Sequence, residues 1–199
     1  MNKLLILFFV LLFSSFVFSQ TSKKSEIKKI DAYCKLVDSF VKKHKRPQMI
    51  FADISQTEKE KWRKFASEKV LEKFRKNTET YSIAYNWQRN GKIIQSNFTF
   101  FSESGDWAQY VDHYFRTNGT LAKVESDTRT FEGELSVLQD LYFDSKGKLL
   151  RKTVQYRELA TNKPKKPSKE FLESNGDFVS GVGYFKKTSK LPFAILLKK

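Results

Sequence analysis

The sequence predicts an α+β fold: two N-terminal helices packed on an antiparallel β-meander of about six to eight strands, three tandem hairpin repeats able to curl into a half-barrel. Two observations carry this. Gly91, Gly119 and Gly147 recur 28 residues apart, each four residues after an aromatic (Trp87, Phe115, Phe143) and two before an aliphatic (Ile93, Leu121, Leu149). Repetition at such a period marks one supersecondary unit per copy, and an aromatic strand, a Gly turn and a second apolar strand make a β-hairpin. The second observation is a switch of hydrophobic period. Spacings of 3 and 4 dominate before Asn77, and alternation dominates from Tyr81 to about Leu159.

In chain order, Met1-Asn2-Lys3, the apolar run Leu4–Phe13 and Val17 and Ser19 before Gln20 read as a signal peptide over residues 1–19. The run falls short of the ~20 apolar residues of a spanning helix. The mature chain, residues 20–199, is then a single exported domain, periplasmic or secreted, without a transmembrane segment. A single cysteine, Cys34, excludes an intramolecular disulfide framework.

Residues 25–77 read as helical. Ile27, Ile30, Cys34, Val37 and Val41 form one stripe, and the helix ends in a basic cluster before Pro47. Met49–Ile54 is a short strand or an extended connector. Ser55-Gln56-Thr57-Glu58 has the spacing of a capping box, predicting a second helix to about Asn77 with Trp62, Phe65, Val70, Leu71 and Phe74 inward.

Residues 79–159 read as the meander. Tyr81, Ile83, Tyr85 and Trp87 alternate with polar residues, and Asn90-Gly91 is a strong hairpin signal. Strand three, Trp107–Arg116, is aromatic on both faces, so both faces should be covered. Ser126-Asp127-Thr128 is the expected turn after a weak fourth strand, and Gly133 suggests a bulge in the fifth. Residues 160–199 read as a basic connection with a turn at Asn175-Gly176 and one or two final strands over 178–185 and 191–197. The apolar end is expected to pair with the sheet or lie under a helix.

The formal charge is +15, or +14 without Lys3. Residues 21–76 carry 17 basic against 8 acidic residues, 77–161 carry 10 against 11, and 162–199 carry 9 against 3. The ends are therefore basic and the sheet neutral. Such ends suit an anionic envelope polymer or membrane surface. The sheet does not interleave its aromatics with Lys and Arg, which argues against nucleic acid.

Catalytic patterns are sparse. His44, His113 and Cys34 make no zinc spacing, and no nucleophile elbow or phosphate loop occurs, so neither a metal nor another cofactor is expected. Asp106, Asp112 and His113 form the best polar cluster, but Asp112 and His113 should face opposite sides of their strand. The surplus aromatics Tyr85, Trp87, Trp107, Tyr110 and Tyr114 are the candidate ligand-binding residues, for a lipid, glycan or peptide.

The units Tyr114–Leu121 and Tyr142–Leu149 resemble the hairpins of MORN and YD-type repeats. Leader, helix and meander together are similar in architecture to periplasmic lipoprotein carriers, whose half-barrel holds acyl chains; no site residue follows from that likeness. The expected function is a non-enzymatic cell-envelope or secreted binding protein with an apolar or glycan ligand. The alternative is a basic module for anionic polymers or membrane surfaces, and a hydrolase ranks third.

Overall fold

Eight antiparallel strands among the described residues form one open sheet. The computed structural model describes residues 2–55, 57 and 59–198, with side chains from residue 23 and none at 177–180. The expected leader thus lies outside the residues whose side chains are described. Helix α1 (Asn2–His44) leads into β1 (Met49–Asp53), β2 (Trp62–Phe65) and α2 (Glu68–Arg75). The six long strands follow: β3 (Ser82–Arg89), β4 (Lys92–Phe101), β5 (Trp107–Phe115), β6 (Leu121–Thr130), β7 (Leu135–Phe143) and β8 (Leu149–Glu158). The chain ends with α3 (Lys169–Ser180) and two short 3₁₀ turns. The sheet, in the order β2-β1-β3-β4-β5-β6-β7-β8, is a meander not closed into a barrel.

The repeat glycines sit at chain reversals with φ of 72°, 80° and 82°. That left-handed region is open to Gly at no steric cost. The first hairpin also has Asn90 at φ 53°, the pair of positive φ values of a type I′ turn. In all three hairpins the ladder shifts register just before the turn, at Trp87/Gln88, Tyr114/Phe115 and Tyr142/Phe143. Asp144 braces the third turn by accepting from the backbone N–H of Lys146 and Lys148, both at 2.8 Å.

The second predicted helix is corrected. Trp62–Phe65 is an edge strand, with Phe65 opposite Ile50 and Trp62 opposite Asp53. Asp53 Oδ1 accepts from the N–H of Ser55 and of Lys61, closing the β1–β2 loop. Ser67, rather than Ser55, caps the helix, accepting from Val70 N–H at 3.3 Å. Gln56 and Glu58 of the expected capping box lie outside the described residues. Unpaired edge groups on β1 outcompete local helix propensity here.

Two further corrections concern turns and ends. β6 runs unbroken through Ser126-Asp127-Thr128, and the reversal falls at Phe131–Glu134, where Gly133 takes φ 70°. Among its described residues the C-terminal region adds no strand. Asn175-Gly176 lies inside α3, and residues 181–198 form an irregular strap tied to the sheet by Leu121 N–H to Lys186 O and Thr188 N–H to Gly119 O.

The two sheet faces bury different partners. On one, the strap face, Met49, Phe51, Phe98, Val111, Phe115, Val124, Leu141 and Phe143 pack under Leu191 and Phe193 of the strap. Phe193 stacks on Phe51 with ring centroids 4.2 Å apart. On the other, the helix face, α1 lays Ile27, Ile30, Cys34 and Val37 on Ile94, Tyr114, Ala122 and Tyr142, while α2 seats Leu71 against Ile50, Ala52, Phe65 and Ile83. Burial pushes the Cys34 thiol far up, so it serves as a core residue.

Candidate functional site

Across β5 to β8 the helix face is left with a trough of about 390 Å³. Its floor follows from register alone. Asp112 of β5 stands opposite Glu125 of β6, which stands opposite Asp140 of β7. One row further, Tyr110, Asp127, Leu138 and Gln155 align across four strands. Lys123, Ser126 and Arg157 complete the polar lining.

Carboxylates directly opposed across strands repel one another, so such a row needs a device to hold it. Lys123 supplies part of it: its Nζ lies 2.5 Å from Glu125 and 3.5 Å from Asp140, with the amine largely enclosed. Tyr114 adds a second link from below α1, its hydroxyl standing 2.9 Å from Asp38 and 3.1 Å from Glu125. Charge repulsion between Asp112 and Glu125 is met by neither. Asp112 Oδ1 accepts only from neutral amides, Asn97 at 3.0 Å and Gln95 at 3.2 Å.

The consequence is electrostatic. Asp112 keeps some exposure along the trough, yet burial, reinforced by Glu125 and Asp38, pushes its pKa from 3.8 up to about 7. The Asn97 hydrogen bond opposes that rise and does not cancel it. On Lys123, desolvation is the largest influence and favours the neutral amine, but Glu125, Tyr142 and Asp140 outweigh it and hold the amine charged. The floor therefore combines a fixed ion-paired cluster with one carboxyl poised near neutrality.

The neighbouring residue behaves in the opposite sense. His113 points to the strap face among Phe98, Phe115 and Phe185, with ring centroids 5.3–5.9 Å away. Neither ring nitrogen has a well-placed hydrogen-bond partner. Burial lowers its pKa to about 4, only partly offset by the backbone at Val111 and Ser96. The expected split of Asp112 and His113 to opposite faces holds.

The candidate aromatics are scattered by the fold. Tyr110 forms a wall of the trough, with the Arg129 guanidinium 5.2 Å from its ring centre. The Tyr114 ring is buried beneath α1, and only its hydroxyl reaches towards Glu125. Trp87 packs under the same helix and Tyr85 beside α2. Trp107 pairs with Thr130 in the ladder and so belongs to the strap face. Sequence reasoning missed Lys123, Glu125, Asp127 and Asp140. The signal was the register: placing a turn at Ser126–Thr128 broke β6 just after Glu125, which faces Asp112 and Asp140, and at Asp127, which faces Tyr110 and Leu138.

Among the described residues no group of His, Cys, Asp or Glu is arranged to hold a metal ion, and no helix is long and apolar enough to cross a membrane. Fold and site together define an open antiparallel meander with a polar trough on one face. Comparison with protein-family models, with curated proteins and with solved structures finds no match.

Proposed function

We propose that this chain is an exported, non-catalytic binding protein that takes a polyhydroxylated ligand, of the glycan class, into the trough of the helix face. One observation carries the reading: Asp112, Glu125, Asp140 and Gln155 line an open trough beside the Tyr110 ring. Carboxylates and amides accept and donate to vicinal hydroxyls, and an aromatic wall receives the apolar face of a sugar ring. The aromatic-rich strap face offers less to an apolar ligand, because Phe185, Leu191 and Phe193 of the chain itself already fill it.

Titration calorimetry against a panel of soluble oligosaccharides tests this. At least one should bind, and Tyr110→Ala should weaken it by tenfold or more while leaving the melting temperature within about 2 °C, as expected of a partly exposed wall residue. A panel without a single binder would remove the reading. Release of reducing ends during incubation would instead move the chain to the hydrolases, with Asp112 and Glu125 the first carboxyl pair to examine.

A second reading rests on α1. Lys24, Lys28, Lys35 and Lys42 are all exposed on its outer side, a basic stripe suited to an anionic polymer or membrane surface. Heparin retention that disappears at moderate salt supports it, and absence of retention at low salt ends it.

A further inference from the structure

We infer that the chain holds a second ligand site, between α1 and the β5–β6 hairpin, which takes a small carboxylate with an apolar body and grips it through Arg116. The site shares no residue with the trough and stands independently of the glycan reading.

A cavity of about 430 Å³ opens there, lined from α1 by Glu26, Lys29, Ile30 and Tyr33 and from the hairpin by Arg116 and Ala122. That volume lies within the range of small-molecule pockets. The α1 residues recur at spacings of three and four, so one helix face supplies them all. Its two largest side chains are fixed by the backbone. The Tyr33 hydroxyl donates to Phe115 O, and Arg116 donates to Leu121 O and, at 2.6 Å, to Phe143 O. Phe115 and Phe143 stand where the ladder shifts register, and such irregularities leave backbone groups to be met from elsewhere. Tyr33 and Arg116 are thus held in place before any ligand arrives, which spares the cost of ordering them on binding.

The charge on Arg116 is unanswered. Among the described residues it makes no ion pair. Burial works against its charge, and Glu26 and Asp144 favour it only through space. Glu26 and Tyr33 both line the cavity and both lie within electrostatic reach of the guanidinium, so the charged head stands at the cavity. Of about five N–H donors in a guanidinium, the two backbone carbonyls take one each and the rest stay open. A planar carboxylate matches that fork with two parallel hydrogen bonds. The lining sets the ligand's charge as well: Lys29 and Arg116 against Glu26 leave one positive charge over, which a single carboxylate balances. A phosphate monoester, carrying about −1.5 to −2, exceeds it. Buried Ile30 and Ala122 with the Tyr33 ring form the apolar wall that receives the rest of the molecule.

Calorimetry of the purified protein at neutral pH and low salt tests the assignment with three probes: 4-phenylbutyrate, its neutral amide and 4-phenylbutyl phosphate. The carboxylate should bind about tenfold more tightly than the amide, the worth of one charge-assisted contact, and more tightly than the phosphate. Arg116→Gln should bring carboxylate and amide to equal affinity. Footprinting of the unaltered protein with phenylglyoxal needs no variant and decides the matter if Arg116→Gln fails to fold. There 4-phenylbutyrate should slow modification of Arg116 while leaving exposed Arg63 unchanged, and the amide should slow neither. Equal affinity for acid and amide, tighter binding of the phosphate, or a carboxylate preference that survives Arg116→Gln would overturn the site. So would an Arg116 that stays unprotected, or silence with all three probes. None of these outcomes touches the trough, whose test is the sugar panel.

Discussion

The two faces of this sheet solve the same burial problem in opposite ways. The strap face is closed with the chain's own aromatics, and even its histidine is held neutral among phenyl rings. The helix face is covered by α2 over β1–β3 and by α1 over one end of β4–β7, and stays polar along the trough of β5–β8. Asp112 and His113 are neighbours in sequence, yet burial raises the pKa of one and lowers that of the other. Desolvation disfavours charge of either sign. The lesson is that a stable face and a functional face can share one strand, because alternate side chains see separate environments.

The largest test of the contrast is Phe193→Ala. Its ring is fully buried and stacks on Phe51, so truncation should cost about 3–5 kcal/mol in urea unfolding. A loss under about 1 kcal/mol would mean that the strap is an accessory and the strap face is open.

Next comes pH. His113 titrates at about 4 folded against 6.5 ordinarily, so its contribution is present above pH 6.5 and is lost as pH falls through 4. Asp112 titrates at about 7 against 3.8, so its contribution is present below pH 3.8 and is lost as pH rises through 7. Between pH 4 and 6.5 the two slopes oppose each other, each at most about 1.4 kcal/mol per pH unit. Asp112→Asn should therefore expose stability rising with pH across that window, and His113→Leu stability falling with it. Slopes of the same sign in both variants would break the comparison.

The smallest effect concerns the strap's anchor. A Cβ on Gly119 would meet Thr188 Oγ1 at 2.7 Å, whereas one on Gly91 meets nothing within 4 Å, and both residues have positive φ. Both alanine variants should be destabilised by about 1–2 kcal/mol through φ alone. Gly119→Ala should lose more, and the excess should shrink in a Thr188→Ala background. Equal losses would show that the strap yields freely there.

Much of the sheet was legible because its signals are local. Gly91, Gly119 and Gly147 mark chemistry that only a few residues can perform, and strict alternation in Tyr81–Trp87 admits little but a strand. The errors share one cause. Trp62–Phe65 carries a pattern that a helix or a strand can satisfy, and its pairing with β1 decided. The apolar end at Leu191–Leu197 reads as a strand on the sheet or a segment under a helix, yet it is an irregular segment that seats Leu191 and Phe193 on the strap face and leaves Ile195 exposed. The trough was invisible for a related reason: Asp112, Glu125 and Asp140 lie 13 and 15 residues apart and become neighbours only through the ladder.

What the chain encodes by itself is where it turns, how its faces alternate and that both ends are basic, since turn chemistry, side-chain parity and charge are properties of short segments. Which carboxyls meet, which of them lacks a cation and which face the C-terminus closes were decided only in three dimensions. Those depend on register and on desolvation, and both are set by residues far away in sequence.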